Sequence, residues 1–294
     1  MKKLTLSLTL MAFILTINAS ASTLGYWRFE EGTNDTIAPL YWNGNNVKWF
    51  QDSSGNGNDM PTWDWWTSPR YTNALPFSTV PQTGTANTLA CWFGGGNPPN
   101  IDDDIWSEGA AILNEGSNFS NGWTVEVSVN FLQDDIWQVV VGKDGDPNSA
   151  GPPLFGMKFN ASNQMLEMNV YDGGTNVHWL STGANSILAG NWYSVAGICD
   201  GSTVKLYLKG PTDFQYVELD SVAVSGGPMA AYYGNWSIGR GQWGGGNADW
   251  CNALIDEVRI SDEALQPSQL LGVAPEPGMI ISGIILALLV FRRK

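Results

Sequence analysis

The sequence predicts an all-β fold of two antiparallel sheets between its two ends. Three observations carry that prediction. Apolar residues alternate with period two in many short segments, Gly-containing turns separate those segments, and no helical stripe of useful length runs from Ser22 to Ser261. Strands spaced about 8–12 residues apart in this way build an antiparallel sandwich or jelly roll.

The elements follow in order. Residues 124–131 place Val125, Val127, Val129 and Phe131 on one face, with Glu126, Ser128 and Asn130 opposite. Residues 154–160, 165–171, 192–199, 204–209 and 214–220 continue as short strands. Asp144-Gly145, Asp172-Gly173-Gly174 and Asp200-Gly201 supply the turns between them. One helical turn or two is expected within residues 261–271, capped by Ser261 or Asp262. No internal linker divides residues 22–272, which therefore form one domain.

The two ends carry addresses. Met1-Lys2-Lys3, an apolar stretch to Ile17 and then Ala19-Ser20-Ala21 have the charge, length and small-x-small pattern of a cleavable signal peptide covering residues 1–21. At the other end, Pro275-Glu276-Pro277 precedes an apolar run over residues 278–291 and the terminal Arg292-Arg293-Lys294. As a helix that run reaches only about 21 Å, short of the ~30 Å hydrocarbon core. The layout of residues 273–294 resembles the PEP-CTERM sorting signal of Gram-negative bacteria. The resemblance implies Pro275, Glu276 and Pro277 as the sorting motif, processing by an exosortase, transient membrane insertion of the hydrophobic helix and a product at the cell envelope or beyond.

Charge excludes several function classes. The 294 residues hold 14 Lys plus Arg and 28 Asp plus Glu, a net of −14. Five of the cations sit at the extreme ends, so residues 22–277 carry 9 cationic and 28 acidic side chains, a net of −19. Nucleic acid needs a basic footprint and is excluded as a partner. A single imidazole, His178, excludes any site built on two histidines.

Four blocks resemble the LamG-like members of the concanavalin A-like jelly-roll superfamily. Leu24-Gly25-Tyr26-Trp27-Arg28-Phe29-Glu30 is similar to that family's first strand. Asp52-Ser53-Ser54-Gly55-Asn56-Gly57-Asn58 is close to its DSSGNGN loop. WYSVAGICDGSTVKLYL, from Trp192, resembles its strand–DG-turn–strand hairpin, and LIDEVRISDEAL, from Leu254, its closing strand. The blocks occur in family order. Residues 33–51 lengthen one gap, and the Trp-rich stretch 61–122 has only a loose counterpart. Fold similarity of this kind leaves function to the site, because the same sandwich serves lectins, hydrolases and adhesion modules.

Three chemistries follow from the residues. The resemblance implies a structural calcium held by Glu30, Asp52 and Asp256, with carbonyls from residues 55–58, in keeping with a hard cation that takes six to eight oxygens. The alternative is local: Asp52-Ser53-Ser54-Gly55 is an Asx-type turn whose carboxylate serves nearby backbone donors. Asp102-Asp103-Asp104 is read as a solvated loop face. For hydrolysis, Glu218-x-Asp220 begins the Glu-x-Asp-x-x-Glu strand pattern of laminarinase-type glycosidases, but Ala223 stands where the acid/base is needed. The chain is therefore read as non-catalytic.

Recognition is the third chemistry. Fifteen Trp exceed 9 Tyr and 11 Phe, and flat indoles beside Asn, Asp and Gly can stack on sugar rings. Trp27, Trp123, Trp179, Trp192 and Trp236 sit in strand patterns and are assigned to the core. Trp65 and Trp66 cannot both point inward from an extended chain, so one of them is a ligand-binding candidate. Trp243, among the glycines of residues 239–246, is the other. Cys91, Cys199 and Cys251 allow three pairings, of which Cys91–Cys251 is preferred. The expectation is an exported recognition protein of the cell surface or extracellular matrix that binds carbohydrate. The net charge favours a neutral glycan, and a structural or protein-adhesion module is the rival.

Overall fold

The computed structural model describes residues 23–38, 50–62, 68–94, 103–107, 112–120, 122–145, 153–172, 176–225 and 234–275. In chain order their strands are β1 (Thr23–Trp27), β2 (Arg70–Thr72), β3 (Ala90–Phe93), β4 (Ile105–Trp106) and β5 (Trp123–Phe131). Next come β6 (Gln138–Lys143), β7 (Phe155–Asn160), β8 (Met165–Tyr171), β9 (Val177–Ser181) and β10 (Trp192–Cys199). The chain ends with β11 (Thr203–Lys209), β12 (Val217–Ala223), β13 (Trp236–Ile238), β14 (Gly241–Trp243), β15 (Gly246–Ala248) and β16 (Ala253–Ser261).

Two antiparallel sheets face each other, as the alternation predicts. The larger runs β12-β11-β10-β5-β16-β3-β2, with β1 also paired to β16. The smaller runs β4-β13-β6-β7-β8-β9, and β14–β15 is a separate hairpin. Val125, Val127, Val129 and Phe131 of β5 meet Phe155, Met157 and Phe159 of β7 and Leu166, Met168 and Val170 of β8 in one core. Trp27, Trp123 and Trp236 are fully enclosed, and the Trp123 and Phe155 rings meet edge to face, 5.6 Å apart. Truncating any one of these to Ala is worth about 3–5 kcal/mol.

The opposite face of the larger sheet is buried as well. Leu265, Leu270 and Val273 pack onto Ala196, Ile198, Tyr207 and Tyr216. Glu126 is therefore enclosed; it pairs with Arg259 and accepts the Leu271 N–H at 2.8 Å. Leu265 N likewise donates to Thr124 Oγ1 at 2.9 Å. These tertiary bonds take up backbone donors that a helix would use internally. The expected helix is accordingly reduced to a 3₁₀ turn at Pro267–Gln269.

Other expectations need correction. Strand β12 begins three residues later than predicted, because Asp213 closes a turn by accepting Gly210 N–H at 2.9 Å and leaves Phe214 in solvent. Trp192 is only half-buried. Cys91, Cys199 and Cys251 are all buried free thiols, so the preferred Cys91–Cys251 bridge is not formed. The three act as small apolar fillers.

Candidate functional site

The candidate surface is the outer face of the smaller sheet. Inward-pointing residues of β7–β9 are Phe155, Met157, Phe159, Leu166, Met168, Val170 and Leu180. Strand alternation therefore turns Lys158, Glu167, Asn169 and Trp179 outward. The register sets them side by side, Lys158 opposite Glu167 and Asn169 opposite Trp179. Asn160 Nδ2 donates to Glu167 Oε1 at 2.7 Å, which holds that carboxylate in place.

The β14–β15 hairpin folds over the edge of this face. Gly244 and Gly245 both have positive φ, 59° and 83°, and close the two-residue turn that leaves Trp243 opposite Gly246. At Gly241 a Cβ atom would come within 2.6 Å of Val139 Cγ2, so only glycine lets the hairpin lie this close to β6. Val139 N donates to Asp249 O at 2.7 Å, and Gly145 N donates to Gln242 Oε1 at 2.6 Å.

Beneath the hairpin lies its anchor. Arg240 Nε donates to Asp104 Oδ2 and Arg240 Nη1 to Asp144 Oδ1, both at 2.8 Å. Burial works against the guanidinium charge, yet Asp144 and Asp104 hold its pKa above the ordinary value. Asp104 is thus a buried ion-pair partner, and Asp103 is buried too, where a solvated acidic loop was expected.

Three indoles stand on the surface so formed. Trp137 is 38%, Trp179 48% and Trp243 63% exposed. Between them lies the Lys158 amine, 4.5 Å from the Trp137 ring centre, 4.9 Å from Trp179 and 5.9 Å from Trp243. Asn169, Gln242 and Asp249 line the cleft beside Lys158. Cation–π attraction of about 0.5–2 kcal/mol per ring holds the lysine ammonium over the three rings. The result is a platform of flat apolar faces with amide and carboxylate groups at its margin.

Trp243, a candidate from the sequence, is exposed on this platform. Trp65 and Trp66 lie outside the described residues. Trp179 is a correction: the odd positions of β9 face outward, so its indole lies in solvent and not in the core. Trp137 and Lys158 were not foreseen. Pairing β9 with β8 would have revealed Trp179, because His178 and Leu180 take the alternate positions. Of the sorting motif only Pro275 is described; Glu276, Pro277, the signal peptide and the C-terminal hydrophobic run lie outside the described residues.

Comparison with known proteins places this architecture. A model of the Laminin_G_3 family, described as the concanavalin A-like lectin/glucanases superfamily, matches residues 107–271, more than half of the chain. The chain belongs to this superfamily. No curated protein matches it. Among solved structures, it is similar to the binding domain of botulinum neurotoxin DC in complex with SialylT. The TM-score is 0.53 at 8% identity, covering 84% of this chain and 50% of that one. The same toxin's binding domain in complex with rat synaptotagmin II gives 0.52 at 9% identity, covering 84% and 49%. The Ruminococcus gnavus IT-sialidase CBM40 bound to alpha2,3 sialyllactose gives 0.45 at 14% identity, covering 54% and 85%. The chain spans about half the length of the toxin domains, and at these identities the fold alone is shared.

The calcium ligands implied by membership of the lectin/glucanase superfamily, Glu30, Asp52 and Asp256, do not fit as a set. Asp52 Oδ1 accepts Tyr26 N and Ser54 N, each at 2.9 Å, and Oδ2 accepts Ser54 Oγ at 2.7 Å and Asn58 N at 3.0 Å. Four donors saturate a carboxylate, so Asp52 is a turn residue. Glu30 accepts from Thr88 N at 2.7 Å and from Thr88 Oγ1. Asp256 accepts from Asn87 Nδ2 at 2.7 Å and from Glu257 N at 2.8 Å. Glu30 and Asp256 thus flank the Asn87-Thr88 segment, while Asp52 serves the other side of β1. Among the described residues no group of three or more His, Cys, Asp or Glu is placed to hold a metal.

The lectin/glucanase sandwich also hosts hydrolases, and here the residues that begin their pattern diverge. Glu218 pairs with Lys205 at 2.9 Å and accepts the Tyr207 hydroxyl. Asp220 instead accepts Ser181 N from β9 at 3.0 Å, tying the edges of the two sheets together. A larger groove of about 560 Å³ is lined by Phe214, Tyr216, Pro267 and Val273, with no charged side chain among the described residues. It is a seam between the β11–β12 loop and the C-terminal segment and lacks the indole array.

Proposed function

We propose that this protein is an exported, non-catalytic recognition protein that binds carbohydrate on the outer face of its smaller sheet. Trp137, Trp179 and Trp243 around Lys158 are the observation that carries the reading. Solvent-exposed indoles cost free energy unless a partner covers them, and sugar rings present C–H faces of matching size. Asp249, half-buried at the cleft, offers an acceptor for a sugar's hydroxyls. That a binding domain of the same fold occurs in complex with SialylT agrees with this use of the sandwich. The signal-peptide pattern and the PEP-CTERM-like end support export to the envelope or outer surface of a Gram-negative bacterium, with exosortase as processing partner.

Glycan-array screening of the purified protein, beside Trp179→Ala, tests the reading. Retention of a glycan by the wild type and its loss in the variant is the expected result. Equal retention by both proteins moves the glycan site off this face, and capture of cell-surface protein with no glycan transfers the role to protein adhesion. Release of sugar from any polysaccharide overturns the non-catalytic assignment.

A further inference from the structure

We propose that Lys158 makes this face selective for a sugar that carries a single carboxylate, an inference that rests on the glycan-binding role of the same face. The Lys158 residue is only 8% exposed, yet its amine makes no hydrogen bond or ion pair among the described residues. Its near neighbours are the three indole rings at 4.5, 4.9 and 5.9 Å. Rings attract the charge but accept no conventional hydrogen bond, so the ammonium keeps N–H groups to offer to whatever enters the cleft.

A carboxylate uses those donors best. A charge-assisted hydrogen bond is about twice as strong as a neutral one, and the enclosing rings keep the pair partly out of water. Two other carboxylates border the site. Glu167 is opposite Lys158 on β8 and is held by Asn160, and Asp249 lines the same cleft. They can accept hydrogen bonds from the sugar's hydroxyl groups.

The whole-chain charge limits the ligand further. A net of −14 opposes the approach of polyanions, whereas one carboxylate beside Lys158 lies within the ~8 Å over which local charge outweighs the screened remainder. The net charge alone favours a neutral glycan; the one cation seated in the platform reverses that preference at a single position. Two kinds of sugar supply this chemistry, a hexuronic acid and a sialic-type acid.

The test is a titration, followed by tryptophan fluorescence and calorimetry, with four oligosaccharides. They are one ending in glucuronic acid, one ending in sialic acid, and each of these with its carboxylate reduced to the alcohol. The proteins are the wild type, Lys158→Met, Lys158→Arg and Trp179→Ala. At least one acid is expected to bind about 10-fold or more tightly than its reduced form. Lys158→Met brings that ratio to about 1, and Lys158→Arg keeps it. Which acid shows the ratio identifies the source. Equal binding of acid and reduced forms by the wild type, or an unchanged ratio in Lys158→Met, overturns the inference and leaves glycan binding intact. Absence of binding to all four overturns the inference alone, glycan binding being judged by the array, whereas full binding by Trp179→Ala moves the site off this face and overturns both.

Discussion

The Lys158 amine lies 4.9 Å from the centre of the Trp179 ring, on strands β7 and β9, with β8 between them. No local rule joins these two residues, which are 21 positions apart. Their meeting depends on the pairing of β7 with β8 and of β8 with β9. The sheet therefore fixes Lys158 and Trp179 relative to each other.

Trp179→Ala and Trp243→Ala are each expected to weaken glycan binding by about 0.5–1.5 kcal/mol while leaving unfolding free energy within about 0.5 kcal/mol of wild type. Trp236→Ala, which removes an enclosed ring, is expected to cost about 3–5 kcal/mol of stability. Urea unfolding and glycan titration of the three variants separate the two roles. Equal destabilisation by all three would place the exposed indoles in the core.

Gly241→Ala adds one methyl group where Val139 Cγ2 leaves 2.6 Å. The hairpin must move off β6, at a cost of about 1–3 kcal/mol. Glycan affinity is expected to fall even though no contacting side chain is altered. Unchanged affinity would mean that Trp243 is placed independently of the hairpin's seat.

Arg240→Met leaves Asp104 and Asp144 without their buried cation, and breaking such a network costs about 3–5 kcal/mol. The triple variant with Asp104→Asn and Asp144→Asn removes the stranded charges and is expected to regain part of that loss. Thermal melts of both proteins provide the check. No recovery in the triple variant would show that the guanidinium's packing, and not its charge, anchors the hairpin.

Acid stability turns on β16. Burial, and then the neighbouring Glu257 charge, hold the Asp256 carboxyl well above the usual range, against the pull of Asn87 and the Glu257 N–H. Burial raises Glu257 as well, opposed by Tyr26 and Arg28. An acid whose folded pKa is raised contributes stability that is complete below its unfolded value near 4 and is lost as pH climbs through the folded value. Urea midpoints are therefore expected to fall as pH rises from about 4, and Asp256→Asn to flatten the slope. Lys143 acts in a higher window: burial brings its amine down to about 7, opposed by Asp144, so its penalty is relieved as pH rises from there to about 10.5. A wild-type slope retained in Asp256→Asn would place the dependence on other groups.

Because protein donors already saturate Asp52, thermal unfolding in EDTA and in millimolar calcium is expected to coincide. Asp52→Ala, which strands the N–H groups of Tyr26, Ser54 and Asn58, is expected to cost about 1–3 kcal/mol in both buffers. A calcium-dependent rise in melting temperature that Asp52→Ala abolishes would restore Asp52 as a ligand.

Much of the scaffold was legible without coordinates. Alternation alone marked β5, β7, β8, β10 and β11 and the inward face of β5, because period two assigns every second side chain to the core. It also determined the two-sheet class, while the DSSGNGN loop and the closing strand carried the resemblance to the superfamily. Turn chemistry marked Trp243 as exposed. Tertiary structure alone decided the rest. Glu126, Ser128 and Asn130 look like a solvent face until the C-terminal segment covers them. Asp104 looks solvated until Arg240 reaches it from 136 residues away. Trp137, Lys158, Trp179 and Trp243 come from four separate segments, and pattern within one strand carries no information about its neighbours in the sheet. Only register and the packing of the hairpin on β6 bring them to one face.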